Sequence, residues 1–202
     1  MSEEEDNGNK VIFIGETFVG KTNLIKVSLG KPFDPNPDTT WSASYVPKEF
    51  TYDNQKYSFN LWDTIGQEKY RALTKIFFKG AIIAIIVYDI TKRKTFEALE
   101  YWYEQLKEQL GDDFILAIVG NKIDLYTKQE ISEEEGKNFA ANKGAKFKLS
   151  SAKDNPLSFT QFLEELFQDY IEKNKNNKKE RSRGLSINKC NINIENKKKG
   201  CC

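Results

Sequence analysis

Apolar residues form several short runs along this chain, and their spacing predicts strands. Val11–Ile14, Ala81–Ile90 and Phe114–Val119 are dominated by apolar residues, the pattern of central strands that are covered on both faces of a sheet. Tyr57–Trp62 alternates apolar with polar residues, which is the period of a half-buried strand. A further strand is predicted over Ala145–Leu149.

Between these strands, apolar residues recur at helical spacing. Lys21–Leu29 and Phe96–Leu110 each predict a helix with one apolar face. Ser132 and Glu135 have the spacing of a capping box that opens a third helix, and Phe159–Ile171 predicts a long final one. Because strands that alternate with helices need parallel crossover connections, the pattern predicts an α/β fold with a doubly wound sheet.

Two connecting segments complete the predicted fold. Residues 31–40 contain three prolines, which supply no N–H to a strand ladder, so we expect a loop there. A turn at Asp53–Asn54 separates two strand-like stretches and predicts a hairpin. The full prediction is a mostly parallel six-stranded sheet with one antiparallel edge hairpin and helices on both faces.

The charge distribution divides the chain into unlike parts. The net charge is only +1, but residues 173–202 carry +8 and residues 1–172 carry −7. Helical periodicity also stops near Lys173, where the sequence becomes rich in Lys and Asn. We therefore predict a disordered acidic N-terminus at 1–9, a globular domain at 10–172 and a disordered basic tail at 173–202.

Composition excludes several kinds of site. Apolar residues make up 39% of the 202-residue chain, which is enough for a core, and there is no histidine. Ser–His–Asp catalysis, Cys–His catalysis and histidine-based zinc sites are therefore excluded. The only cysteines are Cys190, Cys201 and Cys202, so the predicted globular domain has no disulfide, as expected in a reducing compartment.

A phosphate-binding pattern lies between the first predicted strand and the first predicted helix. Residues 15–22 fit G-x-x-x-x-G-K-[ST], in which glycines let backbone N–H groups turn toward phosphate oxygens. We expect Lys21 to reach the β- and γ-phosphates and the Thr22 hydroxyl to ligate Mg²⁺; the alternative is an ordinary glycine turn. The predicted nucleotide-binding residues here are Gly15, Glu16, Thr17, Phe18, Val19, Gly20, Lys21, Thr22 and Asn23.

A second pattern follows the Tyr57–Trp62 strand. Asp63 stands at the end of that strand, where a carboxylate is well placed to hold Mg²⁺ through water. Gly66 can offer its backbone N–H to a γ-phosphate, and Gln67 can orient an attacking water. Asp-x-x-Gly is a common loop on its own, so the interpretation depends on its pairing with the phosphate-binding pattern.

Two further loops offer groups that distinguish guanine from adenine. After the strand at Phe114–Val119, an Asp124 carboxylate can accept hydrogen bonds from guanine N1–H and N2–H₂, which adenine does not supply. After the next strand, residues 151–153 can add a backbone N–H to guanine O6. The predicted base-binding residues are Asn121, Lys122, Asp124, Ser151, Ala152 and Lys153.

Together these motifs resemble the Ras superfamily of small GTPases and, within it, the Rab family. Residues 62–68 are close to the Rab pattern W-D-T-A-G-Q-E, and residues 87–91 match V-Y-D-I-T. The resemblance spans residues 10–172 and the terminal cysteines. It implies a P-loop NTPase-type fold and a slow GTPase that binds Mg²⁺, switches between GDP-bound and GTP-bound shapes and regulates vesicle trafficking.

The resemblance also assigns residues that the motifs alone do not. It implies that Phe33 packs edge-on against guanine and that Thr40 binds Mg²⁺ together with Thr22 and Asp63. Tyr45, Trp62 and Phe77 fall where Rab proteins place three aromatic residues that effectors recognise; ordinary packing is the alternative. The predicted partners are GTP or GDP, effectors, an exchange factor, an activating protein and a prenyl-binding chaperone. A monomer without nucleic acid is expected.

Three positions depart from the Rab pattern. Phe18 occupies a phosphate-loop position where small residues are usual, Ile65 replaces an alanine, and Trp41 stands in place of isoleucine. An aromatic ring at Phe18 could obstruct an activating arginine or simply face solvent, and a β-branched Ile65 stiffens a turn that must change conformation. These departures motivate an alternative, a membrane-tethered GTP-bound module with impaired hydrolysis. A phosphotransferase is a third possibility, but the sequence shows no acceptor site.

The chain ends in three lysines, a glycine and two cysteines. This ending is no C-a-a-X box but resembles the Rab double-cysteine terminus, in which Cys201 and Cys202 receive geranylgeranyl groups. Two lipid chains, or one chain with basic residues, hold a protein on a membrane where a single chain binds only marginally. We therefore expect the cytoplasmic face of an intracellular membrane, with cycling through the cytosol.

Overall fold

A computed structural model describes the backbone of residues 8–37, 40, 42–64 and 75–195, and the side chains of these residues up to 176 except that of Lys75. Its elements are β1 (Asn9–Ile14), α1 (Lys21–Ser28), β2 (Ser44–Tyr52), β3 (Gln55–Asp63), β4 (Ala81–Asp89), α2 (Arg93–Leu110), β5 (Ile115–Asn121), α3 (Glu133–Asn142), β6 (Lys146–Ser150) and α4 (Pro156–Glu195). Short 3₁₀ turns span Lys75–Phe77 and Ile123–Lys128.

The described strands form one six-stranded sheet in the order β2-β3-β1-β4-β5-β6. Only the β2–β3 pair is antiparallel, and its turn falls at Asp53–Asn54, where both residues have positive φ. All other neighbours are parallel. The prediction of a doubly wound α/β sheet with one antiparallel edge hairpin is confirmed.

Parallel pairing decides where the functional loops meet. The carboxyl ends of β1, β3, β4, β5 and β6 all point to the same edge of the sheet, because these strands run parallel. The loops that begin at Gly15, Thr64, Lys122 and Ser151 therefore start along one line. In open α/β sheets this edge, next to the strand where the order reverses, is where ligands bind.

The core lies on both sides of the central strands. On one side, Ile12 and Ile14 of β1 belong to a buried cluster with Leu99, Trp102 and Leu106 of α2. On the other side, Phe13 meets Phe159 of α4 edge-on, with ring centroids 6.1 Å apart. Strands covered on both faces explain the continuous apolar runs in β1, β4 and β5.

The predicted capping box at the start of α3 is confirmed. The Ser132 hydroxyl accepts a hydrogen bond from the Glu135 N–H at 3.2 Å, and the Glu135 carboxylate accepts one from the Ser132 N–H at 2.9 Å. Arg93, at the start of α2, donates to the same carboxylate at 2.6 Å. The hydrogen bond from the Arg93 guanidinium, with a smaller contribution from those of Ser132, lowers the pKa of Glu135 to about 2. This network ties the first turns of α2 and α3 together.

The last helix differs from the prediction. Disorder was expected from Lys173, but the backbone of α4 is helical through Glu195. Lys, Arg and Glu are good helix formers and no proline follows Pro156, so lost apolar periodicity does not by itself end a helix. The chain forms two compact units, 1–166 with the sheet and 167–202 with the rest of α4.

No helix among the described residues is both long and apolar enough to cross a membrane.

Gly136 is expected to be intolerant of a side chain. A Cβ there would lie 2.5 Å from the Tyr88 hydroxyl and 2.6 Å from the Phe147 ring, and Tyr88 is fully buried. Gly136→Ala gains helix propensity but must displace these rings, so we expect a net loss of about 1–3 kcal/mol in the free energy of unfolding. Urea denaturation measures it. Glu134→Ala, exposed on the same helix, is the control, and equal stability of both variants would contradict the expectation.

Candidate functional site

The loop between β1 and α1 is shaped by two glycines that have no room for a side chain. A Cβ on Gly15 would lie 2.2 Å from the Val87 carbonyl oxygen, and one on Gly20 would lie 2.3 Å from the Asn121 amide nitrogen. Both glycines have positive φ, 133° and 102°. The loop backbone thus packs directly on β4 and β5, which places residues 15–20 over the carboxyl edge of the sheet.

Lys21, the first residue of α1, is buried beneath this loop. Its ammonium donates to the Gly15 carbonyl at 2.9 Å and to the Glu16 carbonyl at 3.0 Å. Burial lowers the pKa of Lys21 to about 8, and the nearby Asp63 and Glu16 carboxylates partly oppose that shift. The site therefore holds a cation in a poorly hydrated position that a bound anion would favour.

A cluster of oxygen atoms forms next to Lys21. The Thr22 hydroxyl donates to the Asp63 carboxylate at 2.6 Å, and the Thr40 hydroxyl lies 3.1 Å from the Thr22 hydroxyl and 3.5 Å from that carboxylate. The second carboxylate oxygen of Asp63 is buried without a hydrogen-bond partner. Burial raises the pKa of Asp63, and the Thr22 hydrogen bond opposes the shift.

This cluster has the chemistry of a magnesium site. Mg²⁺ prefers oxygen ligands and is usually bound through one or two protein groups together with phosphate oxygens and water. Among the described residues, no three His, Cys, Asp or Glu side chains come together. The unpartnered Asp63 oxygen and the two threonine hydroxyls instead offer one carboxylate with neutral oxygens, which suits a metal that also binds phosphate.

The loop after α1 is pinned to the helix by Asp34. Its backbone N–H donates to the Asn23 side-chain oxygen at 3.0 Å, and its carbonyl accepts from the Asn23 amide at 2.9 Å. Its carboxylate pairs with Lys26 at 2.9 Å, and that hydrogen bond lowers the pKa of Asp34. Asn23 therefore acts from α1 to position Phe33 and the residues that follow it.

The loops after β5 and β6 are joined by side-chain hydrogen bonds. The Asp124 carboxylate accepts from the Ser151 hydroxyl at 2.7 Å, and that hydroxyl accepts from the Lys153 N–H at 3.2 Å. Asn121 reaches back and donates to the Val19 carbonyl at 2.8 Å. Lys122 has a positive φ of 70° and pairs at 2.8 Å with a buried aspartate of β4.

All of these loops border one cavity of about 280 Å³. The predicted site residues that line it are Thr17, Phe18, Gly20, Lys21, Thr22, Asn23, Phe33, Thr40, Asn121, Lys122, Asp124, Ala152 and Lys153. Gly15, Glu16, Val19, Asp63 and Ser151 lie outside the lining but contact residues within it or in its loops. Four further residues line the cavity without having been predicted as site residues: Asp34, Pro35, Pro37 and Leu125.

Several predicted residues fall outside the described part of the chain. These are Trp41, Ile65, Gly66, Gln67, Cys201 and Cys202. The roles assigned to them stay predictions.

Comparison with known proteins decides the family. The Ras family model matches residues 10–176. Among relatives, Rab-22A of Homo sapiens is 40% identical over 72% of this chain and 75% of its own length. Rab-2B of Dictyostelium discoideum is 37% identical over 71% of each chain, and RABA5c of Arabidopsis thaliana is 30% identical over 100% of this chain and 99% of its own.

The chain belongs to the Ras family.

Its relatives make it a Rab-type small GTPase, and the predicted resemblance is confirmed. It is accordingly a GTP-binding and GTP-hydrolysing switch of vesicle trafficking. Ras-family GTPases generally use Mg²⁺ with GTP, which agrees with the oxygen cluster at Asp63. The alternative of a GTP-bound module with impaired hydrolysis is not favoured.

The structure describes Phe18 and the three aromatic positions of this Rab-type protein. Phe18 has a left-handed φ of 63° and a ring that is 59% exposed.

Tyr45, Trp62 and Phe77 form a contiguous aromatic surface, with the Trp62 ring centroid 4.9 Å from Tyr45 and 6.2 Å from Phe77. Lys10 lies 4.2 Å over the Trp62 ring, a cation–π contact that sequence spacing does not reveal.

Asp63 should cost stability when no metal is bound. Burial raises the pKa of Asp63 in the folded protein, so the folded state holds this proton more tightly than the unfolded chain does. The free energy of unfolding is therefore highest at low pH and falls as pH rises through the folded pKa. Asp63→Asn is therefore expected to raise the free energy of unfolding of the metal-free protein at pH 7, measured by urea denaturation in EDTA. The gain should shrink as pH falls.

Asp34→Asn is the matched control with the opposite sign. Lys26 lowers the pKa of Asp34, so its ionised form stabilises the fold above the unfolded pKa. That variant should be unchanged or less stable at pH 7. A loss of stability in Asp63→Asn under metal-free conditions would contradict the account.

Proposed function

We propose that the cavity binds one GTP or GDP with Mg²⁺, with the phosphates at Lys21 and the guanine at Asp124. The observation that carries this proposal is that three separate loops bring groups of different chemistry to a single cavity. Lys21 offers a buried cation and Thr22 begins the oxygen cluster, whereas Asp124 offers a carboxylate. A triphosphate and a guanine ring need that pairing of groups.

At the phosphate end, the protein would bind and orient charge. The N-terminal N–H groups of α1 and the loop of residues 15–20 would surround the phosphates, with Lys21 beside them. Thr22, Thr40 and Asp63 would hold Mg²⁺, which when bound neutralises charge that develops on the phosphates. Gly66 would contact the γ-phosphate, and Gln67 would orient the attacking water; the sequence motif supports both assignments.

At the base end, the protein would select guanine. Asp124 would accept two hydrogen bonds from guanine N1–H and N2–H₂, and adenine would leave the carboxylate without partners. The Ser151 hydroxyl bonds one oxygen of Asp124, which fixes the orientation of the carboxylate. Ala152 and Lys153 line the cavity beside it, where a backbone N–H would face guanine O6, and Phe33 would contact the edge of the ring.

Nucleotide state would be transmitted through Thr40 and the aromatic surface. Thr40 belongs to the oxygen cluster, so a γ-phosphate and Mg²⁺ would order residues 33–45 and 64–78. The contiguous rings of Tyr45, Trp62 and Phe77 would then face an effector. An exchange factor, an activating protein and a prenyl-binding chaperone complete the proposed partners of a monomeric protein that binds no nucleic acid.

The tail would attach this switch to a membrane. Cys201 and Cys202 would carry geranylgeranyl groups, and the charge of +8 on residues 173–202 would add attraction to an anionic leaflet. The relatives are Rab proteins, which supports a place on the cytoplasmic face of an intracellular membrane with cycling through the cytosol. The division at residues 1–9, 10–172 and 173–202 remains part of this proposal, although α4 continues to Glu195.

Asp124→Ala tests the base assignment. Removal of the carboxylate should lower affinity for GDP by at least about a hundredfold while affinity for ADP changes little, because only guanine offers the two donors. Competition against a fluorescent GDP analogue measures both. Asp154→Ala removes a nearby exposed carboxylate and should leave the preference for GDP unchanged. An unchanged preference in Asp124→Ala would refute the role.

A further inference from the structure

We propose that Trp102 is a positioning residue that holds the Glu16 carboxylate away from the phosphates of the bound nucleotide. This inference rests on the proposed function, because it requires phosphates over the loop of residues 15–20. It adds a residue of α2 to a site that the sequence motifs assign to α1 and to the loops after the strands.

The contact itself joins residues that are far apart in sequence. The Trp102 indole N–H donates to a Glu16 carboxylate oxygen at 3.1 Å. Trp102 is 1% exposed and belongs to the core cluster with Ile12 and Ile14, so its ring is fixed by packing. A fixed donor restricts the rotamers of its acceptor, and here the acceptor is the side chain of a phosphate-loop residue.

Glu16 lies close to the group proposed to bind phosphate. Its backbone carbonyl accepts from the Lys21 ammonium at 3.0 Å, so the residue lies beside the group proposed to bind phosphate. Thr17 and Phe18 line the cavity, but Glu16 does not. Its negative charge is nonetheless close enough to raise the pKa of Lys21 against the effect of burial. The carboxylate is thus near the phosphate site but directed elsewhere.

A released Glu16 carboxylate would harm nucleotide binding in two ways. It would compete with the phosphates for the Lys21 ammonium, and it would repel the phosphates themselves in a site of low effective dielectric. Both effects depend on the charge of Glu16 and have the same sign. Recognition of the base at Asp124 should be unaffected, since Asp124 lies in the segment after β5 and Glu16 in the loop before α1.

Trp102→Phe tests this role, because phenylalanine keeps most of the packing but has no N–H to donate. Loss of one hydrogen bond to a charged group, followed by repulsion, should speed the release of GDP by about tenfold. The release of a fluorescent GDP analogue from the full chain in Mg²⁺ measures the rate. The preference for GDP over ADP should remain as in the wild type.

The decisive comparison adds Glu16→Gln. An uncharged amide does not repel phosphate, so Trp102→Phe combined with Glu16→Gln should release GDP within about twofold of the Glu16→Gln single variant. Glu16→Gln alone is the reference for this comparison, because its amide oxygen can still accept a hydrogen bond from Trp102. A role of Trp102 in packing alone would not be rescued by a change at Glu16.

The outcomes separate the inference from the proposed function. Unchanged release in Trp102→Phe, or faster release that Glu16→Gln does not restore, overturns the inference. A wild-type chain that binds no GDP contradicts the proposed function instead. If Trp102→Phe does not fold even with GDP present, Trp102→Met replaces it in the same comparison, since its flexible side chain adapts to the space and has no N–H or O–H to donate.

Discussion

The buried ammonium of Lys21 is the interaction on which the rest of the site depends. It is held by the carbonyls of Gly15 and Glu16, and burial lowers its pKa to about 8. Two glycines that tolerate no Cβ keep the loop close enough for those contacts. The two neutral carbonyls only partly compensate the charge of the buried ammonium. A phosphate in their place would give it an anionic partner.

The surrounding residues restrain the loops and leave the ligand-binding groups available. Asn23 pins Asp34, Asn121 pins Val19, and Ser151 orients Asp124. These hydrogen bonds join the loops that border the cavity to one another and to α1. The Asp63 oxygen that is buried without a hydrogen-bond partner is a group for which a metal would provide one.

Local patterns in the sequence predicted most of the fold and much of the site. Apolar runs identified β1, β4 and β5, and the capping box at Ser132 identified the start of α3. What the sequence did not reveal depends on contacts between distant residues, such as the hydrogen bond from Trp102 to Glu16, or on backbone conformation, such as the left-handed Phe18. Loss of apolar periodicity was likewise a poor guide to the end of α4, because the Lys-rich sequence after residue 173 contains no proline to end the helix.

The central claim is that one cavity binds one guanine nucleotide together with Mg²⁺. The direct measurement is to incubate the purified full chain with equal GTP and ATP in Mg²⁺, remove free nucleotide, denature the protein and quantify what is released. The account predicts about one guanine nucleotide per chain with adenine nucleotide at about 1% or less of that amount, and loss of bound nucleotide when EDTA is added. Comparable amounts of both nucleotides, or neither, would contradict it.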